Sequence, residues 1–334
     1  MKKVLYVSLI LMVCMAFLGG SLFAAGQAEK AKDDRLHVAL VVKNLTNPFF
    51  VYMKWGGEAA ANKYDVKYTC LAPQTEEVEG QIRIIEDLIQ QDVDAIVVVP
   101  IDSQGIVAGI ERANQAGIPV FVSNTMALGG EFVAFAGIDH KHMAETMGQY
   151  VVDKLGGKGK VIELEGVTGA QSSIDRGIGF GNIFSKTPGI QVLAKTTADF
   201  NKARGMQVTE DLLVRFSDID AIVAYNDSMA LGAVEAVRAA GKLNRIMVTG
   251  TDANKDALES VRAGELTATV DSNPVAQAFV PVEAAIRYLM YKEVPPKVMI
   301  VGEGVPTIVD KSNVDEFEAG VINMLKEYGV DTKY

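Results

Sequence analysis

The residues of this chain that could do chemistry are short polar groups placed just beyond apolar runs: Asn44 and Asn47; Asp102; Asn124 and Thr125; Asn226 and Asp227; Thr251 and Asp252; and Asp271, Ser272 and Asn273. Phe49, Phe50, Phe200 and Tyr225 stand beside them. Amides, hydroxyls and a few carboxylates exchange hydrogen bonds with alcohols, and aromatic faces cover C–H surfaces, so the set suits a small polyhydroxylated ligand. Taken singly, each Asx or hydroxyl residue also fits a plain cap or turn. Catalytic patterns are weaker. Gly177, Gly179 and Gly181 fall inside an expected helix, not between a strand and a helix, which removes a dinucleotide loop, and neither a phosphate loop nor a G-x-S-x-G elbow occurs. His140 and His142, two apart at a helix start, face different sides and lack a Cys or acidic partner at ligand spacing. No catalytic residue, metal or cofactor is expected, and the chain does not read as an enzyme.

The elements that must position these groups alternate regularly. Strands are expected at Leu36–Val42, Lys67–Leu71, Ala95–Val99, Val120–Ser123 and Phe132–Ala136. Helices lie between them at Pro48–Lys63, Glu77–Gln91 and Ser103–Ala116, the last stopped by Gly117. A second series follows, with strands at Lys160–Leu164, Gln191–Lys195, Ala221–Ala224, Ile246–Thr249 and Ala268–Val270. Its helices run from His140 to Leu155, Ser173 to about Lys186, Asn201 to Phe216, Ser228 to Ala240 and Lys255 to Ala263. A tail adds a helix from Val275 to Tyr291, a strand at Val298–Val301 and a helix at Val314–Tyr328. Strand–helix alternation of this kind gives right-handed β-α-β units and parallel sheets covered on both faces. Asp94-Ala95-Ile96-Val97 recurs as Asp220-Ala221-Ile222-Val223, which points to two similar lobes. The expected division is residues 29–138 plus about 273–303 in the first lobe and 139–272 plus about 304–334 in the second. Crossings near Ile138, Ser272 and Gly304 would act as a hinge.

Length and composition agree with two globular lobes: 334 residues, 49% hydrophobic and 22% charged. The net charge of −10 argues against a nucleic-acid partner. Lys2 and Lys3 before the apolar run Val4–Leu18, then small residues to Ala28, read as a cleaved signal peptide over residues 1–28, hence export to the periplasm. Losing those two lysines takes the charge to −12. Cys14 inside the apolar run is a less favoured lipid-attachment point, and Cys70 is left without an intrachain partner.

Several stretches together resemble the ribose-binding branch of the type I periplasmic sugar-binding proteins of ABC transporters. They are Ala39-Leu40-Val41-Val42 leading to Asn47-Pro48-Phe49-Phe50, Val161 to Gly166, Asp175-Arg176-Gly177, Ala198-Asp199-Phe200, Asn226 to Ala233, and Gly250-Thr251-Asp252. The resemblance implies an α/β fold of two similar doubly wound parallel-sheet lobes with a multi-crossing hinge. It also implies a monomeric, non-enzymatic receptor that closes over a sugar and presents it to a transporter permease or, alternatively, to a chemoreceptor or sensor kinase. It assigns Asn47, Phe49 and Phe50 to the first-lobe wall, Phe200 to an aromatic contact from the second, Arg176 to a hydrogen-bonding fork, and Asn226 and Asp252 to hydroxyls. The departures are Asn124-Thr125 in place of an Asp-Arg pair, Val99 in place of an Asn, Thr251 in place of an aromatic, and Ser272 beside Asp271 in place of a Gln. Losing such buried hydrogen bonds, each worth about 1–3 kcal/mol, points to a small sugar or polyol other than ribose.

Overall fold

The computed structural model describes residues 34–302, 304, 306–327 and 329–330; the expected signal peptide and Cys14 lie outside them. The first series consists of β1 (His37–Val41), α1 (Pro48–Tyr64), β2 (Lys67–Leu71), α2 (Val78–Gln90), β3 (Ala95–Val98), α3 (Val107–Gln115), β4 (Val120–Ser123) and β5 (Phe135–Gly137). The second runs α4 (His140–Lys154), β6 (Gly159–Glu165), α5 (Gln171–Phe184), β7 (Ile190–Thr197), α6 (Lys202–Arg215), β8 (Ala221–Ala224), α7 (Asp227–Ala239), β9 (Met247–Thr249), α8 (Lys255–Ala263) and β10 (Ala268–Val270). Then come α9 (Pro274–Tyr291), β11 (Val298–Ile300), β12 (Ile308–Asp310) and α10 (Val314–Glu327).

These strands form two six-stranded sheets of matching order, β11-β5-β4-β3-β1-β2 and β12-β10-β9-β8-β6-β7. The short sequence repeat marks the same place in each. Asp94 accepts the His37 N–H at 2.7 Å and Asp220 accepts the Lys160 N–H at 2.7 Å, so each carboxylate ties the start of its central strand to the parallel strand beside it. The strands are apolar on both faces because helices cover both: Val38 and Leu40 point into one core and Ala39 and Val41 into another. On the first face α1 meets α9 so closely that a Cβ on Gly56 would collide with the Val275 carbonyl.

Two features depart from the expectation of purely parallel sheets and uniform helices. Strand β12 was not foreseen and pairs antiparallel with β10, because the chain re-enters the second sheet directly from the first, without a crossover helix. Its three residues are too few to show a period. The helix expected from Ser103 begins at Val107, since Ser103 N–H is spent on the Gly169 carbonyl across the cleft at 3.3 Å and Asp102 holds residues 104 and 105 in a turn.

Among the described residues the chain passes between the sheets three times, after β5, after β10 and between β11 and β12. Asp252 N–H donates to Val270 at 2.8 Å and Asp271 N–H to Thr307 at 2.9 Å, which binds the crossing segments to the ends of β9 and β10. Helix α10 touches both lobes. Val314 and Phe317 pack into the core of the second, while Leu325 packs on Tyr52 and Val275 and Val330 enters the core of the first.

Candidate functional site

The carboxyl ends of both sheets face one another, as open parallel sheets place their ligand sites. At the end of β1, Asn44 Oδ1 accepts from the N–H groups of Thr46 (3.0 Å) and Asn47 (2.8 Å), and Asn47 Oδ1 accepts from Phe49 N–H at 3.1 Å. These nested turns, with Pro48 at the first helical position, swing the chain from strand to helix and present Phe49 and Phe50 edge to face at 5.1 Å. Capping and site-building are thus the same act for Asn47.

The facing wall comes from four segments of the second lobe. Phe200 follows β7 with a φ of 54°, and its ring lies so close to Gly166 that only glycine fits there. Arg176, on the cleft face of α5, donates through Nη1 to the Tyr225 carbonyl, approaches His140 Nδ1 at 3.4 Å and stands 3.8 Å from Asp252 Oδ1. Its Nε is buried without a partner. Asn226 caps α7 through Met229 N–H at 2.9 Å, and its amide nitrogen donates to the Phe200 carbonyl at 3.2 Å. Asn124 and Asp252 also have positive φ, 59° and 123°. Non-glycine residues held there cost about 1–3 kcal/mol each, the strain that ligand clamps tend to carry.

Of the residues expected from sequence, Asn47, Phe49, Phe50, Asn124, Arg176, Phe200, Asn226 and Asp252 line one cavity. Thr125 and Ser272 stand behind it. Thr125 accepts from Lys43 Nζ at 3.0 Å and meets the Ser172 hydroxyl at 3.1 Å, while the Ser272 hydroxyl donates to Asp252 at 3.1 Å. The sequence reading missed Lys43, Glu76 and Ser172 on the cavity wall. A lysine directly after the fully buried run Val38–Val42 was the available signal for the first, because a charge there ends up in the cleft. Glu76, hydrogen-bonded by Asn44, sits before α2 in a polar stretch that gives no such sign.

Lys43 is 3% exposed and lies 5.6 Å above the Phe200 ring, with Arg176 5.7 Å from the same ring. Burial pushes the Lys43 ammonium down to about 8, against the pull of Glu76. Burial likewise pushes Asp252 up to about 7, although Arg176 favours its charged form; it also raises Glu76 and lifts Asp227 well above its ordinary value. Two cations and two carboxylates therefore share the cavity with amides, a hydroxyl and three aromatic rings. Such a surface can grip a hydroxylated molecule from every side; it brings together no nucleophile with a base.

The lobes are closed on this cavity. Besides the Ser103–Gly169 and Thr125–Ser172 contacts, Gln171 N–H donates to Ser103 Oγ at 3.0 Å and Lys255 N–H to Tyr52 Oη at 3.2 Å. The free space in the cavity is small, about 30 Å³, and Lys43, Phe200 and Arg176 are among the side chains that line it. A ligand enters only when the lobes part or these side chains swing aside.

Known proteins are similar to this chain in sequence and architecture. The ribose import binding protein RbsB of Bacillus subtilis is 41% identical over 257 residues, which cover 77% of this chain and 83% of that protein. The crystal structure of an ABC transporter solute binding protein from Bacillus halodurans with bound myo-inositol is 31% identical, with a TM-score of 0.78 over 85% of this chain and 98% of that one. A periplasmic solute binding protein of an ABC transporter from Actinobacillus succinogenes, with bound D-allose, is 29% identical, with a TM-score of 0.78 over 84% and 100%. The periplasmic binding protein domain model matches residues 38–293, well over half of the chain and all of the residues that line the cleft, and the chain belongs to this family of binding proteins.

Proposed function

We propose that the protein is the exported receptor of an ABC importer and closes its two lobes over a small sugar or polyol other than ribose. The observation that carries this is the convergence of Arg176, Asp252 and Asn226 from the second lobe on the Phe49–Phe50 face of the first. Guanidinium, carboxylate and amide groups bracket hydroxyls, and the rings cover the C–H faces between them. The similarity to a ribose import binding protein and to solute binding proteins with bound D-allose or myo-inositol supports the ligand class. Asn124, Thr125 and Ser272 argue against ribose itself: a neutral amide and hydroxyl stand where a ribose site would supply a charged pair, and Ser272 is spent on Asp252.

Closure is a population shift driven by contacts that exist only when both lobes touch the ligand. The closed form, as a monomer, is what the permease would recognise, and residues 1–28 would direct export. A thermal-shift panel of pentoses, hexoses and polyols tests the reading, since a ligand that binds the folded state raises the melting temperature in a dose-dependent way. D-Allose, myo-inositol or a related compound should shift it at concentrations where ribose does not. A flat response to the whole panel would sink the sugar reading, and a ribose response stronger than all others would reverse the specificity.

A further inference from the structure

We infer that His140 is a positioning residue of the site: its imidazole, as the Nε2–H tautomer, bridges the Asn124 carbonyl and the Arg176 guanidinium and so sets where that guanidinium meets a ligand. The inference rests on the ligand-site reading above. His140 opens α4 immediately after the first crossing, with Asp139 capping that helix through His142 N–H at 2.9 Å. The ring is 4% exposed, whereas His142 points outward beside Glu145.

Its two nitrogens meet partners of opposite kind. Nε2 lies 2.7 Å from the Asn124 carbonyl, which can only accept, so Nε2 carries the proton. Nδ1 lies 3.4 Å from Arg176 Nη2, which can only donate, so Nδ1 keeps its lone pair. A protonated ring would set an N–H against the guanidinium. Burial is the main cause that keeps the ring neutral, and the charges facing it, Arg176 from α5 and Lys43 from the end of β1, add to it.

The bridge joins both lobes. Asn124, in the left-handed region with its amide tied to Gln277 at 3.0 Å, belongs to the end of β4; Arg176 belongs to the second lobe. Among the described residues the guanidinium has one other hydrogen-bond acceptor, the Tyr225 carbonyl, and its Nε has none. Without the His140 acceptor the fork keeps the Tyr225 hydrogen bond and the Asp252 carboxylate at 3.8 Å but loses the contact that fixes Nη2.

Two substitutions separate the halves of the bridge. The amide oxygen of His140→Asn can take the place of Nδ1, and the amide nitrogen of His140→Gln that of Nε2. With D-allose and myo-inositol as probes, His140→Asn should bind within about threefold of wild type and His140→Gln and His140→Ala about tenfold or more weaker, the worth of a hydrogen bond to a charged group. Equal affinity in His140→Ala, or binding kept by Gln and lost by Asn, overturns the inference. Nitrogen-15 spectra of the ligand-free protein should show the neutral Nε2–H tautomer at neutral pH, and an Nδ1–H or protonated ring there also overturns it. If neither probe binds wild type, the ligand reading fails for those probes, and the tautomer measurement still decides this one.

Discussion

The hydroxyls of Thr125 and Ser172 meet at 3.1 Å with one residue in each lobe, and Lys43 Nζ donates to the same Thr125 oxygen from 3.0 Å. Closure of the cleft is therefore written into neutral contacts that need no ligand, alongside those of Ser103 with Gly169 and Gln171. Each is worth about 1 kcal/mol net, so together they bias the lobes toward closure without locking them. The double variant Ser103→Ala/Ser172→Ala should weaken ligand affinity severalfold and raise the radius of gyration of the free protein in small-angle scattering. An unchanged radius and affinity would show that the Ser103 and Ser172 hydroxyl contacts do not set the open–closed balance.

Arg176→Ala should abolish measurable ligand binding by calorimetry. The family resemblance assigns it a hydrogen-bonding fork, and in the structure Arg176 is 4% exposed and faces Asp252 at 3.8 Å. Leaving that carboxylate alone in a buried site costs about 3–5 kcal/mol, so the variant should also melt at lower temperature. Arg176→Ala/Asp252→Asn should recover part of the stability and none of the binding.

Lys43 separates stability from function in the opposite sense. Its ammonium is buried with one neutral hydrogen-bond partner, Thr125, and burial disfavours its charge. Lys43→Met should leave the free protein as stable as wild type or more so by chemical denaturation, while affinity for the ligand falls about tenfold. A variant that is destabilised with affinity intact would contradict this.

The buried titratable groups predict an unusual pH profile. Burial pushes Asp252 up to about 7 and Asp271 up to about 6 from an ordinary value of 3.8. The folded protein holds those protons where the unfolded chain has released them, so they lower stability as pH rises from about 4 to 7. Lys43 acts in reverse: it is pushed down from 10.5 to about 8, so stability rises with pH across that interval. His140, pushed down to about 3, offsets part of the acidic arm up to its ordinary value of 6.5. Stability of the free protein should pass through a minimum near pH 7 to 8, and Asp252→Asn should flatten the fall on its acid side. Denaturant midpoints at about pH 5, 7.5 and 9.5 check both statements.

Leu325 is fully buried against Tyr52 and Val275 although its helix begins in the other lobe. Leu325→Ala should cost about 2–5 kcal/mol and widen the cleft of the free protein, because α10 straps the hinge. A loss of stability with no change in scattering would reduce α10 to a packing element.

Much of this was legible from residue order. The alternation of apolar strands and capped helices, the repeat at Asp94 and Asp220, and the Asn47-Pro48-Phe49-Phe50 turn are local patterns, and local backbone preferences determine them. Because parallel strands carry their ligands beyond their carboxyl ends, the same order also named most of the cavity wall. Strand β12 escaped because three residues carry no period, and Glu76 because nothing in a polar loop tells that its carboxylate reaches the cavity.

Sequence by itself determined the two-lobed α/β architecture, the family resemblance and the polar-aromatic character of the cleft, since each depends on residues near one another in the chain. Only the tertiary structure decided that Lys43 lies over Phe200, that His140 joins Asn124 to Arg176, that Asp252 is pushed toward neutral pH, and that α10 spans both lobes. These depend on distance and burial between segments up to hundreds of residues apart, and neither quantity exists until the chain has folded.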